Sequence, residues 1–270
     1  PPQKLQRPFY LYRRAGALGD GLMDLLFQRQ YQVASFHVGP GALARPSALM
    51  GFLEDAAGKH AATWKLSVMD LIPQGFTWVL VRYHLQIHRC PAYGESLQVT
   101  TWPSSRSTLF VSRDFEVTDA SGATIAVATT SWAVLDLSSK RPVSISKVVP
   151  PAFVLDRRVI DDGFSQLPKL DSAENSVDIP VLLRDLDLNE HVNHIVYAQW
   201  ALEGVPLEIL RTKRPRSIEV SYRAEALFGD RIVSSSAAAE KQSGDEIVYL
   251  HSITQSSSGG ELARLRTTWV

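Results

Sequence analysis

The sequence predicts an α+β protein in which the order strand, one long helix and antiparallel strands occurs twice. Each half contains one segment with apolar residues at helical spacing, and four strand-like segments follow each of these helices. A glycine turn separates the first two strands in both halves, at Gly94 and at Gly229. The chain has 270 residues, which is enough to bury a large core.

The first half opens with an alternating segment at 31–38, which predicts a strand ended by Gly39-Pro40-Gly41. Ser47 is expected to cap the helix that follows, because its hydroxyl can accept from a free backbone N–H of the first turn. The later strands of this half are predicted at 76–90, 96–102, 108–118 and 123–137.

The second half follows the same order. A strand is predicted at 177–183, a loop at 184–192, and a helix capped by Asn193. The expected helix caps, Ser47 and Asn193, are 146 residues apart. The strands after this helix are predicted at 217–225, 231–239, 246–254 and 263–269.

A helix that is apolar over most of its girth must be wrapped by other elements, and only the following strands are available. This arrangement is the hotdog fold, so the chain is expected to be a tandem (double) hotdog whose two sheets pair edge to edge. The predicted divisions are an N-terminal extension at 1–30, a first hotdog at 31–140, a proline-containing linker at 141–170 and a second hotdog at 171–270. Within the extension, 21–27 is either a short docking helix or a surface turn.

Composition limits the classes of function. Lysine plus arginine equals aspartate plus glutamate at 28 each, so no global field attracts nucleic acid or an anionic membrane. Cys90 is the one cysteine, which excludes an intrachain disulfide and favours a reducing cytoplasm. The longest apolar runs are far shorter than a membrane-spanning helix, and no signal-peptide pattern is present, so a soluble protein is expected. No cofactor or metal is expected.

A polar segment, Asp187-Leu188-Asn189-Glu190-His191, lies just before the second helix. In an extended segment the side chains of Asp187, Asn189 and His191 would point the same way. A helix N-terminus carries free N–H groups and partial positive charge, so it can hold a thioester carbonyl, with Asn193 at that start predicted to contact substrate. The alternative is that these are ordinary loop and capping residues.

The segment Asp187-Leu188-Asn189-Glu190-His191-Val192-Asn193-His194, with Tyr197 and Trp200, resembles the catalytic segment of the acyl-acyl carrier protein thioesterases of plants and bacteria. It departs from their usual pattern at His194, where the family has a second Asn. The resemblance runs from about residue 31 to the end and includes Gly75-Phe76-Thr77-Trp78, Thr101-Trp102-Pro103, Arg113-Asp114-Phe115 and Ser131-Trp132.

The resemblance also implies a catalytic glutamate at Glu225, for which the alternative is a solvated strand residue. The next residue is Cys in plant members but Ala226 here, so a cysteine mechanism at that position is excluded. Cys90 lies opposite Glu225 in the first repeat and is expected to be a buried small residue. A carboxylate mechanism remains, in which Glu225 or Asp187 activates water or Asp187 attacks directly. Asn189 and His191 would position the water and the thioester.

The first half is expected to lack a catalytic set, because the positions equivalent to the motif are Gly41, Leu43 and Arg45. The resemblance implies that this half instead reads the acyl chain. The residues expected to line its pocket, with plain core packing as the alternative, are Met50, Phe52, Leu53, Ala57, Trp78 and Leu80.

The predicted function is hydrolysis of fatty acyl-acyl carrier protein to free fatty acid and the holo carrier. The alternatives are an acyl-CoA thioesterase, a hotdog hydratase or dehydratase, and a catalytically silent acyl-binding module. A homodimer is also possible. Acyl carrier proteins are acidic, so a basic cluster would steer their docking unless it is only a solvated turn, and its members are Arg211, Lys213, Arg214 and Arg216. A smaller basic pair is Arg157-Arg158.

Overall fold

The computed structural model describes residues 25–150, 153–239 and 245–270. Most of the N-terminal extension therefore lies outside the described residues, including residues 21–24 of the possible docking helix. The first-half strands are β1 (Phe27–Gln32), β2 (Phe76–Ile87), β3 (Ser96–Arg106), β4 (Phe110–Asp119), β5 (Thr124–Asp136) and β6 (Arg141–Val143). The second-half strands are β7 (Asn175–Pro180), β8 (Pro215–Tyr222), β9 (Arg231–Ala238), β10 (Ile247–Gln255) and β11 (Glu261–Trp269). The α-helices are α1 (Pro46–Thr63), α2 (Val68–Leu71), α3 (His194–Glu203) and α4 (Leu207–Thr212).

The strands form one antiparallel sheet in the order β1-β3-β4-β5-β2-β8-β11-β10-β9-β7, with β6 beside β5. The two halves thus repeat one strand order in opposite directions from a central seam. At that seam β2 pairs with β8, from Arg82 opposite Ser221 to Gln86 opposite Ser217. The expected tandem hotdog with edge-to-edge pairing is confirmed.

The first strand of each half ends earlier than the sequence predicted, where the expected ranges were 31–38 and 177–183. In both halves the chain leaves the sheet for a short 3₁₀ helix. The last side chain of each 3₁₀ helix accepts a hydrogen bond from a backbone N–H three residues earlier. His37 accepts from Ala34 at 3.0 Å, and Asp185 accepts from Leu182 at 2.8 Å.

The start of α1 also differs from the prediction, whereas the start of α3 is as predicted. Arg45 is the N-cap of α1 and Pro46 is its first residue, so Ser47 is not the cap. Proline suits this position because its fixed φ is helical and its missing N–H has no partner there in any case. At α3, Asn193 Oδ1 accepts from the Ile195 N–H at 2.8 Å.

The two long helices share one core. α1 buries Leu49 and Leu53 and α3 buries Val196 and Ala201, all against the same face of the sheet. The helices meet near Gly51, where a Cβ would lie 4.0 Å from Ile195 Cδ1. That distance is an ordinary van der Waals contact, so the helices pack here at normal separation and the first half lies against the start of α3.

The predicted linker is packed against the sheet. Arg141–Val143 pairs with β5, and residues 155–168 cross the face opposite the helices. The buried Asp114 carboxylate accepts from the Val159 N–H at 2.8 Å, and Trp102 donates to the Arg157 carbonyl at 2.8 Å. Buried polar groups need such partners, so these bonds fix the path of the linker.

The smaller basic pair belongs to this linker. Arg157 forms an ion pair with Glu116 at 3.0 Å and lies 4.3 Å from the centre of the Trp102 ring. Arg158 lies 3.4 Å from Asp114. These contacts give the pair a structural role. Among the described residues no helix combines the length and hydropathy that crossing a bilayer requires.

The buried His251 of β10 predicts a pH-dependent stability. Its Nε2 lies 2.9 Å from Thr267 Oγ1, and burial lowers its pKa to about 3. The unfolded chain binds a proton near pH 6.5, whereas the folded chain keeps this imidazole neutral. Its contribution to the free energy of unfolding is therefore complete above pH 6.5 and decreases as the pH falls toward 3.

We expect the free energy of unfolding, measured by urea titration, to be lower at pH 5 than at pH 7.5, with His251 contributing at most about 1.4 kcal/mol per pH unit. His251→Gln should flatten this slope, whereas His88→Gln, at an exposed position, should leave it unchanged. An equal slope in His251→Gln and the parent would contradict the assignment.

Candidate active site

The motif before α3 is a tight turn, so the predicted extended segment is wrong. The Asp187 N–H donates to the His191 carbonyl at 2.7 Å, and Leu186 bridges Val192 across the loop. Glu190 has a φ of 64°, in the left-handed region that closes such turns. Asp187 and His191 are brought together by this turn and not by alternation.

The Asp187 carboxylate organises the turn with one oxygen. Its Oδ1 accepts from the Asn189 N–H at 2.7 Å and from the His191 N–H at 3.3 Å. Oδ2 has no hydrogen-bond partner among the described residues, and the side chain is partly exposed. Asp187 therefore holds its own loop with one carboxylate oxygen and leaves the other available for further contacts. The Asn189 side chain likewise has no partner in the described part of the chain.

Glu225 lies opposite His191. Its Oε1 is 3.6 Å from His191 Nδ1, and the two side chains are 54% and 38% exposed. β8 ends at Tyr222, so Glu225 follows the strand and does not belong to it as predicted. Glu225 is exposed to solvent, as the alternative reading of a solvated residue expected. It also faces the imidazole of His191.

Tyr197 of α3 holds the Glu225 loop in place. Its hydroxyl oxygen accepts from the Ala226 N–H at 2.9 Å, and the Ala226 carbonyl accepts from the Val192 N–H at 3.3 Å. Burial raises the pKa of Tyr197 to about 12, so the phenol stays neutral. The sequence contained Tyr197 in its motif but gave no sign of this role.

The first turn of α3 faces the motif. Both polar atoms of the Asn193 side chain have partners, since Oδ1 caps Ile195 and Nδ2 lies 3.3 Å from both oxygens of Glu54 on α1. Its predicted contact with substrate stays a prediction. The His194 N–H has no acceptor among the described residues. This N–H can stabilise negative charge at the positive end of the helix.

Comparison with known proteins identifies the family. The model of the acyl-ACP thioesterase N-terminal domain matches residues 24–150, and the model of the C-terminal domain matches residues 169–270. The chain belongs to the acyl-ACP thioesterase family. It spans little more than half the length of the curated relatives it matches. One of them, a chloroplastic acyl-[acyl-carrier-protein] hydrolase of Cuphea viscosissima, is 29% identical over 82% of this chain and 56% of its own length.

Solved structures of the acyl-ACP thioesterase family share the fold along nearly the whole chain. The 12:0-ACP thioesterase from Umbellularia californica superposes with a TM-score of 0.83 at 26% identity, covering 92% of this chain and 95% of that one. An acyl-ACP thioesterase from Bacteroides thetaiotaomicron gives a TM-score of 0.77 at 27% identity, covering 91% and 98%. The family resemblance seen in the sequence is confirmed.

The first half of this family member repeats the loop without its chemistry. The Gly39 N–H donates to the Leu43 carbonyl at 3.0 Å, and Val38 bridges Ala44, each 148 residues before its counterpart. The observed offset therefore replaces the predicted 146, and the residues in place of Asp187, Asn189 and His191 are Gly39, Gly41 and Leu43. None of them is a carboxylate or an imidazole.

Cys90 lies in the first half where Glu225 lies in the second. The Ala44 N–H donates to the Pro91 carbonyl at 2.8 Å, as the Val192 N–H donates to Ala226. Burial raises the pKa of the Cys90 thiol, against the smaller opposing effects of nearby arginines. A raised pKa leaves little thiolate, so the residue is a poor nucleophile.

Most of the predicted pocket residues lie together in the main core of this thioesterase fold. Met50 and Leu53 are completely buried, and the core also contains Phe52, Ala57 and Leu80. Trp78 does not join them. It packs in a second cluster with Trp64 and Phe76 beyond the end of α1, and its indole donates to the Leu66 carbonyl at 2.7 Å.

The predicted docking cluster lies away from the active site. Arg216 is six residues before Tyr222 on β8, which separates them by about 20 Å. Arg216 donates to the Ile87 carbonyl at 3.4 Å, and Lys213 donates to the Asp245 carbonyl at 3.1 Å. Arg211 and Arg214 are exposed, and the charge of Arg214 acts on Cys90 of the first half.

One group of neighbouring side chains consists of residue types that commonly bind metal ions. Ligand atoms of His84, Asp162 and Glu219 lie within 4.8 Å of one another beside a polar cavity of about 320 Å³. They already have partners, because His84 Nδ1 lies 2.8 Å from Asp162 and both Glu219 oxygens accept from Arg266 at 2.7 Å. The group ties the linker to the seam between the halves.

The Tyr197 anchor generates a prediction. Tyr197→Phe removes the acceptor for the Ala226 N–H, so Glu225 should lose its fixed position beside His191. We expect kcat on an acyl thioester to fall about 10-fold, and the free energy of unfolding to fall by about 1 kcal/mol. The matched control is Tyr249→Phe, in a separate apolar cluster. A Tyr197→Phe variant with parental kcat would show that the loop needs no such anchor.

Proposed function

We propose that this chain hydrolyses fatty acyl-acyl carrier protein to a free fatty acid and the holo carrier. The observation that carries the proposal is the set of Asp187, His191 and Glu225 at the start of α3, in a member of the acyl-ACP thioesterase family. Its relatives are named acyl-[acyl-carrier-protein] hydrolases and a 12:0-ACP thioesterase. A catalytically silent acyl-binding module would not require these three side chains.

The site supports two carboxylate routes. In one, Asp187 Oδ2 attacks the thioester carbonyl, the thiolate leaves, and water hydrolyses the mixed anhydride. In the other, Asp187 or Glu225 removes a proton from water, which attacks the carbonyl directly. In both routes the oxyanion would accept from the His194 N–H. His191, paired with Glu225, would deliver a proton to the leaving sulfur.

The catalytic assignment predicts large losses of rate. Asp187→Ala, His191→Ala and Glu225→Ala should each lower kcat by about two powers of ten, because each removes an acid, base or nucleophile. Asn189→Ala should cost less, since water can partly replace a positioning amide. Release of free thiol from acyl-acyl carrier protein is the measurement.

The matched control for these substitutions is Cys90→Ser, which should stay active because Cys90 lies in the other repeat. Near-parental turnover in Asp187→Ala together with Glu225→Ala would overturn the site. Acyl-CoA of the same chain lengths should be assayed in parallel. Faster hydrolysis of the CoA thioesters would favour that substrate class, and binding without hydrolysis of either would favour a silent module.

We also propose that the first half limits the length of the acyl chain. The core face of α1 places Met50, Leu53 and Ala57 within the apolar interior, and a fatty chain requires an apolar channel with a closed end. Leu80 of β2 joins them, whereas Trp78 is too far along the strand. Plain core packing is the competing explanation for each of these residues.

Chain-length selectivity tests the pocket. Changing the volume at positions 50, 53 and 57 by one methylene should shift the preference between adjacent chain lengths by roughly 10-fold, since one methylene in a hydrophobic pocket is worth about 1–3 kcal/mol of discrimination. Each folded variant is assayed on a ladder of acyl lengths, with Trp78→Phe as the control outside the main core. Unchanged length profiles at all three positions would make these residues plain core.

Docking of the acidic carrier protein is a separate proposal. Arg214→Glu combined with Arg216→Glu should raise KM for acyl-acyl carrier protein and spare a small acyl thioester, and added salt should have the same effect. The comparison is Arg184→Glu, an exposed arginine three residues before Asp187. If only Arg184→Glu raises KM, the carrier docks at the active-site end. If both substrates suffer equally, the substitutions affect stability.

The cellular setting remains proposed as well. We propose a cytoplasmic location, for which the single cysteine is the support, and a homodimer as one possible assembly, while the plant relatives are named chloroplastic. A role in fatty acid biosynthesis fits the proposed substrate.

A further inference from the structure

A carboxylate from the first half reaches the catalytic half. Glu54 lies on α1, yet both of its oxygens are 3.3 Å from Asn193 Nδ2 at the start of α3. Its Oε1 is also 3.8 Å from His194 Nδ1. The Glu54 side chain is 40% exposed, so it lies at the edge of the contact between the helices and not within the apolar core.

The contact fixes the orientation of an amide. An ionised carboxylate only accepts hydrogen bonds, so Glu54 selects the NH₂ group of Asn193. The amide oxygen must then face the Ile195 N–H, which it caps at 2.8 Å. The Asn193 N–H meanwhile donates to the Asp185 carbonyl at 2.8 Å. Asn193 therefore joins the end of the catalytic turn to the first turn of α3, and Glu54 holds that junction.

Several polar side chains lie near Glu54, although most of the contact between α1 and α3 is apolar. The Tyr83 hydroxyl is buried without a hydrogen-bond partner among the described residues, and the Tyr222 hydroxyl donates to the His194 carbonyl at 3.1 Å. Burial and then the Glu54 charge raise the pKa of Tyr83. Burial lowers the pKa of His194, while Glu54 and Asp187 oppose that effect. Glu54 and Asp187 thus both act on the imidazole of His194.

We propose that Glu54 is a positioning residue for the reaction, through which the first half fixes the start of α3 and the turn that carries Asp187. The inference rests on the proposed function. It also assigns the first half a part in catalysis in addition to acyl-chain binding. Glu54 acts on Asn193 and His194 and is not assigned contact with the substrate.

The test compares substitutions of one side chain on one acyl-acyl carrier protein substrate. Glu54→Ala should lower kcat about 10-fold with KM changed less than twofold, because the turn loses its support while the acyl pocket stays intact. Glu54→Gln should recover most of the rate, since its amide oxygen still accepts from Asn193. Glu54→Asp, whose carboxylate is too short to reach, should behave like Ala and replaces it if Glu54→Ala does not fold.

The control is Asp55→Asn on the same helix. Asp55 faces away from α3, with Arg29 at 3.1 Å and Lys59 at 3.5 Å, and Tyr31 donates to it at 2.7 Å. Its loss should lower the melting temperature at least as much as Glu54→Ala and leave kcat unchanged. A similar fall of kcat in both variants would mean that Glu54 only stabilises α1, and would overturn the inference.

A double-mutant cycle completes the test. If Glu54 acts through Asn193, Glu54→Ala should have little further effect on kcat in an Asn193→Ala background. Multiplicative losses would overturn the inference. If Glu54→Ala keeps the parental kcat while Asp187→Ala is inactive, the role of Glu54 is overturned but the proposed function is not. A parent chain inactive on every acyl thioester would overturn the proposed function itself.

Discussion

The pairing of β2 with β8 is the interaction on which the rest of the molecule depends. Five residue pairs, from Arg82–Ser221 to Gln86–Ser217, convert two open sheets into one and remove two exposed edges. Because both helices lie on the same face of this joined sheet, they must share a core. On the opposite face the linker is tied to the seam through Asp162 and His84. Every contact between the halves, including Glu54 with Asn193, follows from this arrangement.

The repeat separates what belongs to the fold from what belongs to the chemistry. Both halves close the loop before the long helix with the same backbone hydrogen bonds, and both place a left-handed residue in it, Ala42 or Glu190. The loop is therefore a means of starting a buried helix against a sheet. Asp187 replaces a glycine of the other half and Glu225 replaces a cysteine. The candidate site therefore lies in the half whose version of this shared backbone carries two carboxylates and an imidazole.

Local signals in the sequence predicted the strands, the repeated order and the Asn193 cap, because alternation, helical spacing and capping act over a few residues. The 3₁₀ helices were missed because they depend on side-chain bonds such as Asp185 to the Leu182 N–H. The turn around Asp187 was misjudged as extended because a bridge across the loop closes it. No local sequence pattern predicts the role of Glu54, because its partner Asn193 lies 139 residues away. Position along β2, and not hydrophobicity, separates Trp78 from the other residues predicted to line the pocket.

Several charged and polar groups lie close together at the start of α3. Asp187, Glu225 and Glu54 place three carboxylates near a single helix start, and their mutual repulsion would raise the cost of an additional oxyanion there. The helix N-terminus offsets part of this charge, as do the imidazoles of His191 and His194 when protonated. In the proposed reaction, a backbone donor and a proton on one of these imidazoles would stabilise the negative charge that develops on the thioester oxygen. Burial lowers the pKa of His194 and so disfavours its charged form, whereas the His191 imidazole is more exposed and its Nδ1 lies 3.6 Å from a Glu225 oxygen. In the proposed reaction the more exposed His191 is therefore better placed than His194 to carry a proton, and the buried His194 is better suited to a structural role.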